Sequence, residues 1–180
     1  MWRLLWLRQN STVCDQPNGR EMWRLNLPLT AFFALILVAC DSKAATLSVT
    51  ENATLTFGTL ARPTSGTRTI TISPTGGMSG SGELLYGSFQ SGAYGIRSNG
   101  AAPPPTISIE ITNIGSGSGY SVGSFTGEYD GTPIASFPAV GIPTPDGVTK
   151  ILKLGATVTY DNSLAVGTFT PTFDIVVNYE

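Results

Sequence analysis

The strictest constraint on the fold of this chain lies in its last thirteen residues, where side-chain character changes at every step. Phe169, Pro171, Phe173, Ile175, Val177 and Tyr179 fall on one face; Thr168, Thr170, Thr172, Asp174, Val176, Asn178 and Glu180 fall on the other. A period of two is the signature of a β-strand. One apolar and one largely polar face is what a strand shows when its sheet covers a core on one side and meets water on the other, as antiparallel sheets do. Pro171 has no N–H to give to a ladder, so it belongs at an unpaired edge, a bulge or the start of pairing.

The same alternation recurs upstream. Leu47, Val49, Ala53, Leu55 and Phe57 share a face interrupted by Glu51; Ile70 and Ile72 alternate with threonines; Ile107, Ile109 and Ile111 alternate with Ser108 and Glu110. Leu152, Leu154, Ala156, Val158 and Tyr160 form the longest such set before the turn at Asp161-Asn162. No amphipathic helical run longer than a turn or two occurs from Ala45 onward. With 21 glycines and 12 prolines as punctuation, the chain predicts an all-β fold, an immunoglobulin-like antiparallel β-sandwich of about seven strands. Residues 83–97 predict two short strands or a bulged one, and 127–147, with four prolines, a long irregular connection. A sandwich of this type usually closes with a strand beside its penultimate one, and here the sequence stops at Glu180 straight after the strong strand. The expectation is a sandwich lacking its closing strand.

Residues 1–44 have a different character. All three tryptophans, both cysteines and half of the basic residues lie before Ala45. The apolar stretch 25–39 follows Arg24 and is of signal-peptide length, short for a bilayer span. The segment Met-Trp-Arg-Leu at Met1 recurs at Met22, so 22–44 reads as a signal peptide, and 1–21 as a mis-assigned upstream start or a long n-region. Ser42 and Ala44 suit cleavage before Ala45; Leu37-Val38-Ala39-Cys40 resembles a lipobox, which makes Cys40 a candidate lipidation residue. Both routes export the domain 45–180 to the periplasm or cell surface, with no transmembrane span in the mature chain. Cleaved before Ala45, it has five basic and nine acidic residues, a net charge of −4, and no cysteine.

The composition is poor in catalytic groups. There is no histidine, which removes Ser–His–acid triads and histidine metal sites, and no basic stripe marks a nucleic-acid surface. Lys153 alternates with Leu152 and Leu154, Lys150 stands at the start of the same strand, and both read as solvent-facing rather than as partners of a nucleophilic serine. Glu128 and Asp130 flank a glycine turn, and Asp130-Gly131, Asp146-Gly147 and Asp161-Asn162 are turn signals before they are calcium ligands. The glycines from Gly76 to Gly82 do not lie between a strand and a helix, so the phosphate-loop reading fails. The expectation is a non-enzyme with no catalytic, cofactor or metal site.

Interaction is the remaining chemistry. If the closing strand is absent, the inner face of the last strand stays partly open, and the groove at Gly167, Phe169, Phe173, Ile175, Val177 and Tyr179 accepts a strand from another chain. Leu47, Val49, Leu55 and Phe57 are the donor residues on that reading; on the other, 46–57 is the domain's own first strand. Tyr86, Tyr94, Tyr120 and Tyr129 are candidates for stacking on sugars from loops.

Two resemblances bear on these readings. Gly167, fourteenth from the end, and the penultimate Tyr179 resemble the C-terminal pattern of chaperone–usher fimbrial subunits. Residues 45–180 resemble the bacterial domain-of-unknown-function 4402 family in Leu55-Thr56-Phe57-Gly58-Thr59-Leu60, Thr69-Ile70-Thr71-Ile72 with Pro74-Thr75-Gly76, Leu154-Gly155-Ala156-Thr157-Val158, and the ending from Gly167-Thr168-Phe169 to Val177-Asn178-Tyr179. The resemblance implies an exported pilin-like β-sandwich without assigned enzymatic activity. The absent disulfide is a departure from many pilins. The expectations are therefore a structural subunit of a surface appendage, joined by strand donation to other copies of itself or related subunits, with a periplasmic chaperone and an outer-membrane usher as partners. The alternative is a monomeric, exported or lipid-anchored binding or adhesion module.

Overall fold

The computed structural model describes residues 44–100, 103–165 and 168–180. The expected start 1–21, nearly all of the expected signal peptide 22–44, Cys40 and Gly167 lie outside the described residues. Among those described there are thirteen strands and no helix. They are β1 (Thr46–Ala53), β2 (Gly58–Leu60), β3 (Arg68–Ile72), β4 (Met78–Gly80), β5 (Leu84–Tyr86), β6 (Gly92–Asn99), β7 (Thr106–Thr112), β8 (Tyr120–Tyr129), β9 (Thr132–Ile134), β10 (Ala139–Pro143), β11 (Lys150–Tyr160), β12 (Thr168–Phe169) and β13 (Asp174–Tyr179). All ladders between them are antiparallel. The fold is an all-β sandwich, as the alternation predicts, with more strands than expected. Short pieces such as β2, β4, β5 and β9 are three-residue pairings too brief to show a period.

β11 organises the larger sheet. One of its edges pairs along nearly its whole length with β8. The other pairs with β6 through Lys150–Leu154 and then with β3 through Ala156–Tyr160. β1 extends this sheet beyond β6, β4 beyond β3, and β9 beyond β8. Opposite lies a three-stranded sheet in the order β10-β7-β13, and a small third sheet, β12-β2-β5, closes one end. Between the layers, Leu152, Leu154, Ile70, Ile72, Ile96, Ile107 and Ile109 are fully buried. Burying each such side chain contributes roughly 1.5–3 kcal/mol, which is why the in-out period governs the architecture.

The last segment splits at its proline. β12 pairs with β2, Pro171 sits buried in the gap, and β13 then joins β7. The expected irregular connection 127–147 is corrected: it carries the end of β8 and both β9 and β10. Prolines at strand positions of edge elements hid them from a reading based on alternation.

Candidate functional site: an open seam between two strand edges

β13 has β7 on one side, and no described strand on the other. The direction of its unpaired groups follows from register. Asp174 through Tyr179 pair with Thr112 through Ile107, and the Glu180 N–H donates to the Thr106 carbonyl at 3.0 Å. Backbone N–H and C=O groups of successive strand residues point to opposite edges. The even positions therefore bond β7, and Ile175, Val177 and Tyr179 aim theirs at the open edge.

β1 has the same construction. Its partners run from Thr46 opposite Asn99 to Glu51 opposite Tyr94. Ser98 spends its backbone away from β1: its N–H donates to Pro145 and its carbonyl accepts from Gly147. Even positions of β6 thus face away from β1. Leu47, Val49 and Glu51, which lie opposite them, aim their backbone groups outward.

The two free edges lie beside each other across the sandwich. The Tyr179 and Ser98 hydroxyls share a 2.7 Å hydrogen bond, and Ser98 is opposite Leu47. At the other end the Phe173 ring meets Tyr94 edge-on at 6.1 Å, and Tyr94 is opposite Glu51. β13 therefore runs antiparallel to β1 along the seam. Neither strand contains proline or lysine; β1 carries a register shift between Glu51 and Ala53 and an acid, Glu51, opposite buried Tyr94, devices that blunt an edge at that end, whereas the β13 ladder runs without a shift.

The expected site residues are placed as follows. Phe169 does not join the expected groove, since it lies on β12 in the third sheet against Phe57 and Tyr120; Phe173, Ile175, Val177 and Tyr179 share one face. The expectation that it stays partly open is corrected at Ile175 and Val177, which are 5% and 6% exposed; Phe173 and Tyr179 are half-buried. The opening is in the backbone edge. The four expected donor residues are spent inside their own domain: Leu47 is buried under the β1–β6 ladder, Val49 is half-buried, and Leu55 and Phe57 are fully buried in the core. Segment 46–53 is the domain's own edge strand here, the other of the two expected readings. Tyr94 and Tyr129 are buried and Tyr120 is half-buried against Phe169, so of the four tyrosines proposed for stacking only Tyr86 is exposed.

The opposite side of the sandwich supplies a contrast. β9 and β10 are also edges, and a 440 Å³ cavity lies between them, lined by Tyr129, Pro133, Ile134, Val140, Ile142 and Pro143 among others. This side is guarded. Each strand carries a proline, β10 bulges between Ala139 and Ile142, and the Gly141 N–H donates to Glu180 Oε2 at 2.7 Å. At its rim Lys150 pairs with Asp130 at 2.5 Å.

The Tyr129 hydroxyl is buried without a hydrogen-bond partner among the described residues. Burial, with the Asp130 carboxylate second, pushes its phenol up from 10.0 to about 12. Tyr129→Phe is therefore expected to leave stability unchanged or raise it by up to about 1–3 kcal/mol in chemical denaturation, because it removes an unpaired buried group. A phenol whose folded-state value is raised stabilises fully below its unfolded value and loses that contribution as pH climbs through the folded one. Wild-type stability should fall between pH 10.0 and about 12, by more than the Phe variant's does.

A family model described as domain of unknown function (DUF4402) matches residues 47–179, nearly the whole described chain. The chain belongs to that family. No curated protein matches it, and no solved structure does.

Proposed function

We propose that this DUF4402 domain is a non-enzymatic structural subunit of a bacterial surface appendage, joined to its neighbours by a β-strand added at the seam between β1 and β13. The observation that carries this reading is the pair of adjacent edges free of proline and lysine, six residues whose backbone groups face no described strand, set against the proline-guarded edges opposite. An unpaired edge is a template for a foreign strand, and main-chain hydrogen bonds give such an addition its affinity while alternate side chains give it selectivity. Export to the periplasm and then the surface, with a chaperone covering the seam before assembly, is part of the same proposal.

Material sheared from the surface of the native host tests it on a denaturing gel with and without boiling. A ladder of multiples that collapses to one band on boiling is the expected result, since subunits held by an inserted strand resist detergent until they unfold. A single monomer band in both lanes would overturn the reading. The cavity between β9 and β10 would then favour the second one, an exported binding module. There the apolar walls suit a small, largely apolar ligand.

A further inference from the structure

Glu51 is the anomaly of the seam. No register shift separates it from Leu47, so its side chain projects from the inner face of β1 at a position where Leu47 and Val49 are apolar. It lies directly across the ladder from Tyr94, whose phenol is raised first by burial and second by this carboxylate. Among the described residues Glu51 has neither an ion-pair nor a hydrogen-bond partner. The other acids bordering the seam are engaged: Asp174 accepts from Asn113 Nδ2 at 2.5 Å, and Glu180 from Gly141. Arg97 is the one basic residue in the sequences of β1, β6 and β13. It lies opposite Ser48 with its side chain on the outer face, exposed to solvent.

A strand entering the seam covers this carboxylate. Covering a charge without a partner is unfavourable, and like charges brought together are worse. We infer that Glu51 selects the incoming strand, admitting one that carries lysine or arginine opposite it and rejecting this chain's own N-terminal strand. The inference rests on the strand-addition reading above.

The geometry gives the order of side chains. A strand pairing with β13 in antiparallel fashion starts near Tyr179 and Leu47, passes Val177 and Val49, and ends near Phe173 and Glu51. Its inward positions therefore read apolar, apolar, basic at alternate residues. A second copy's Leu47-Ser48-Val49-Thr50-Glu51 supplies the two apolar positions and then sets acid against acid. The cognate strand therefore comes from a different polypeptide. Charge complementarity is the argument for that partner.

The test fuses the strand to the exported chain. A short Asn/Gly turn after Glu180 leads into Thr-Val-Thr-Val-Thr-Lys-Thr in one version and Thr-Val-Thr-Val-Thr-Glu-Thr in the other, so that tethering supplies the effective concentration. Amide exchange at Ile175, Val177 and Tyr179 reads occupancy. With wild-type Glu51 the Lys strand should slow exchange at least about tenfold more than the Glu strand, the scale of close charge pairs across interfaces. Glu51→Lys should invert the preference, and Glu51→Gln should level it. Equal protection by both strands in all three backgrounds would overturn the role of Glu51 and leave the seam standing. No protection by either strand would overturn the seam itself, and this inference with it.

Discussion

Gly155→Ala is expected to unfold the domain or to cost about 3 kcal/mol or more, a large share of the roughly 5–15 kcal/mol that holds a domain together. Gly155 sits where β11 releases β6, its last partner there being Leu154, and takes up β3, starting at Ala156. The changeover brings the end of β3 against it. A methyl group on Gly155 would lie 2.2 Å from the Ile72 carbonyl oxygen and 2.8 Å from the Pro74 nitrogen. Those neighbours are backbone and cannot swing aside as a side chain would. Gly123 is the control: it lies on β8 near the same bulge, and a methyl there meets nothing within 4 Å. Gly123→Ala should stay within about 0.5 kcal/mol of wild type. Urea unfolding of the two variants measures the difference. A Gly155→Ala protein as stable as the Gly123→Ala one would mean that the two ladders of β11 do not meet there as described.

The second large effect concerns assembly, and a neighbouring pair of substitutions isolates it. Val177 aims its N–H at the open edge; Val176 gives its own to the β7 ladder opposite Glu110. Proline is tolerated in a strand where its missing N–H faces outward, and removes a ladder bond where it faces inward. Val177→Pro should therefore leave a folded monomer, with a small loss of stability from reshaping a buried position, while abolishing strand acceptance. Val176→Pro should cost about 3 kcal/mol and impair assembly only through folding. The unboiled gel ladder and the urea midpoint, measured on both variants, separate the two effects. A Val177→Pro protein that still forms the ladder would place the joint elsewhere.

These expectations depend on different depths of reading. The in-out pattern of β7, β11 and the final segment was legible from sequence, because burial in a two-layer sandwich imposes a period of two on any strand with one wet face. β8 was not. Its inner face reads Phe125, Gly127, Tyr129, and the glycine breaks the apolar row. The structure fills that gap from elsewhere, since the Phe137 ring lies 3.0 Å from where a methyl on Gly127 would sit. β9 and β10 were hidden by the prolines that guard them.

The seam was half legible. Alternation located β1 and β13 and marked Glu51 as out of pattern, but periodicity carries no information on which edge a backbone group faces. That follows from register against β6 and β7, which only the folded chain defines. For the same reason the segment holding Leu47 and Val49 read equally well as a donor or as an intrinsic strand until its ladder with β6 was seen. Tyr129 was misplaced on a loop because its neighbours Asp130 and Gly131 are turn formers, although it ends a ten-residue strand with its ring inside.

Amide exchange along β13 tests the central claim most directly. In the isolated domain Ile175, Val177 and Tyr179 should exchange rapidly while Val176 and Asn178, bonded to β7, stay protected. In material sheared from the cell surface the first three should become as slow as their neighbours. Protection of all five in the isolated domain, or rapid exchange of the outward three in the assembled material, would contradict it.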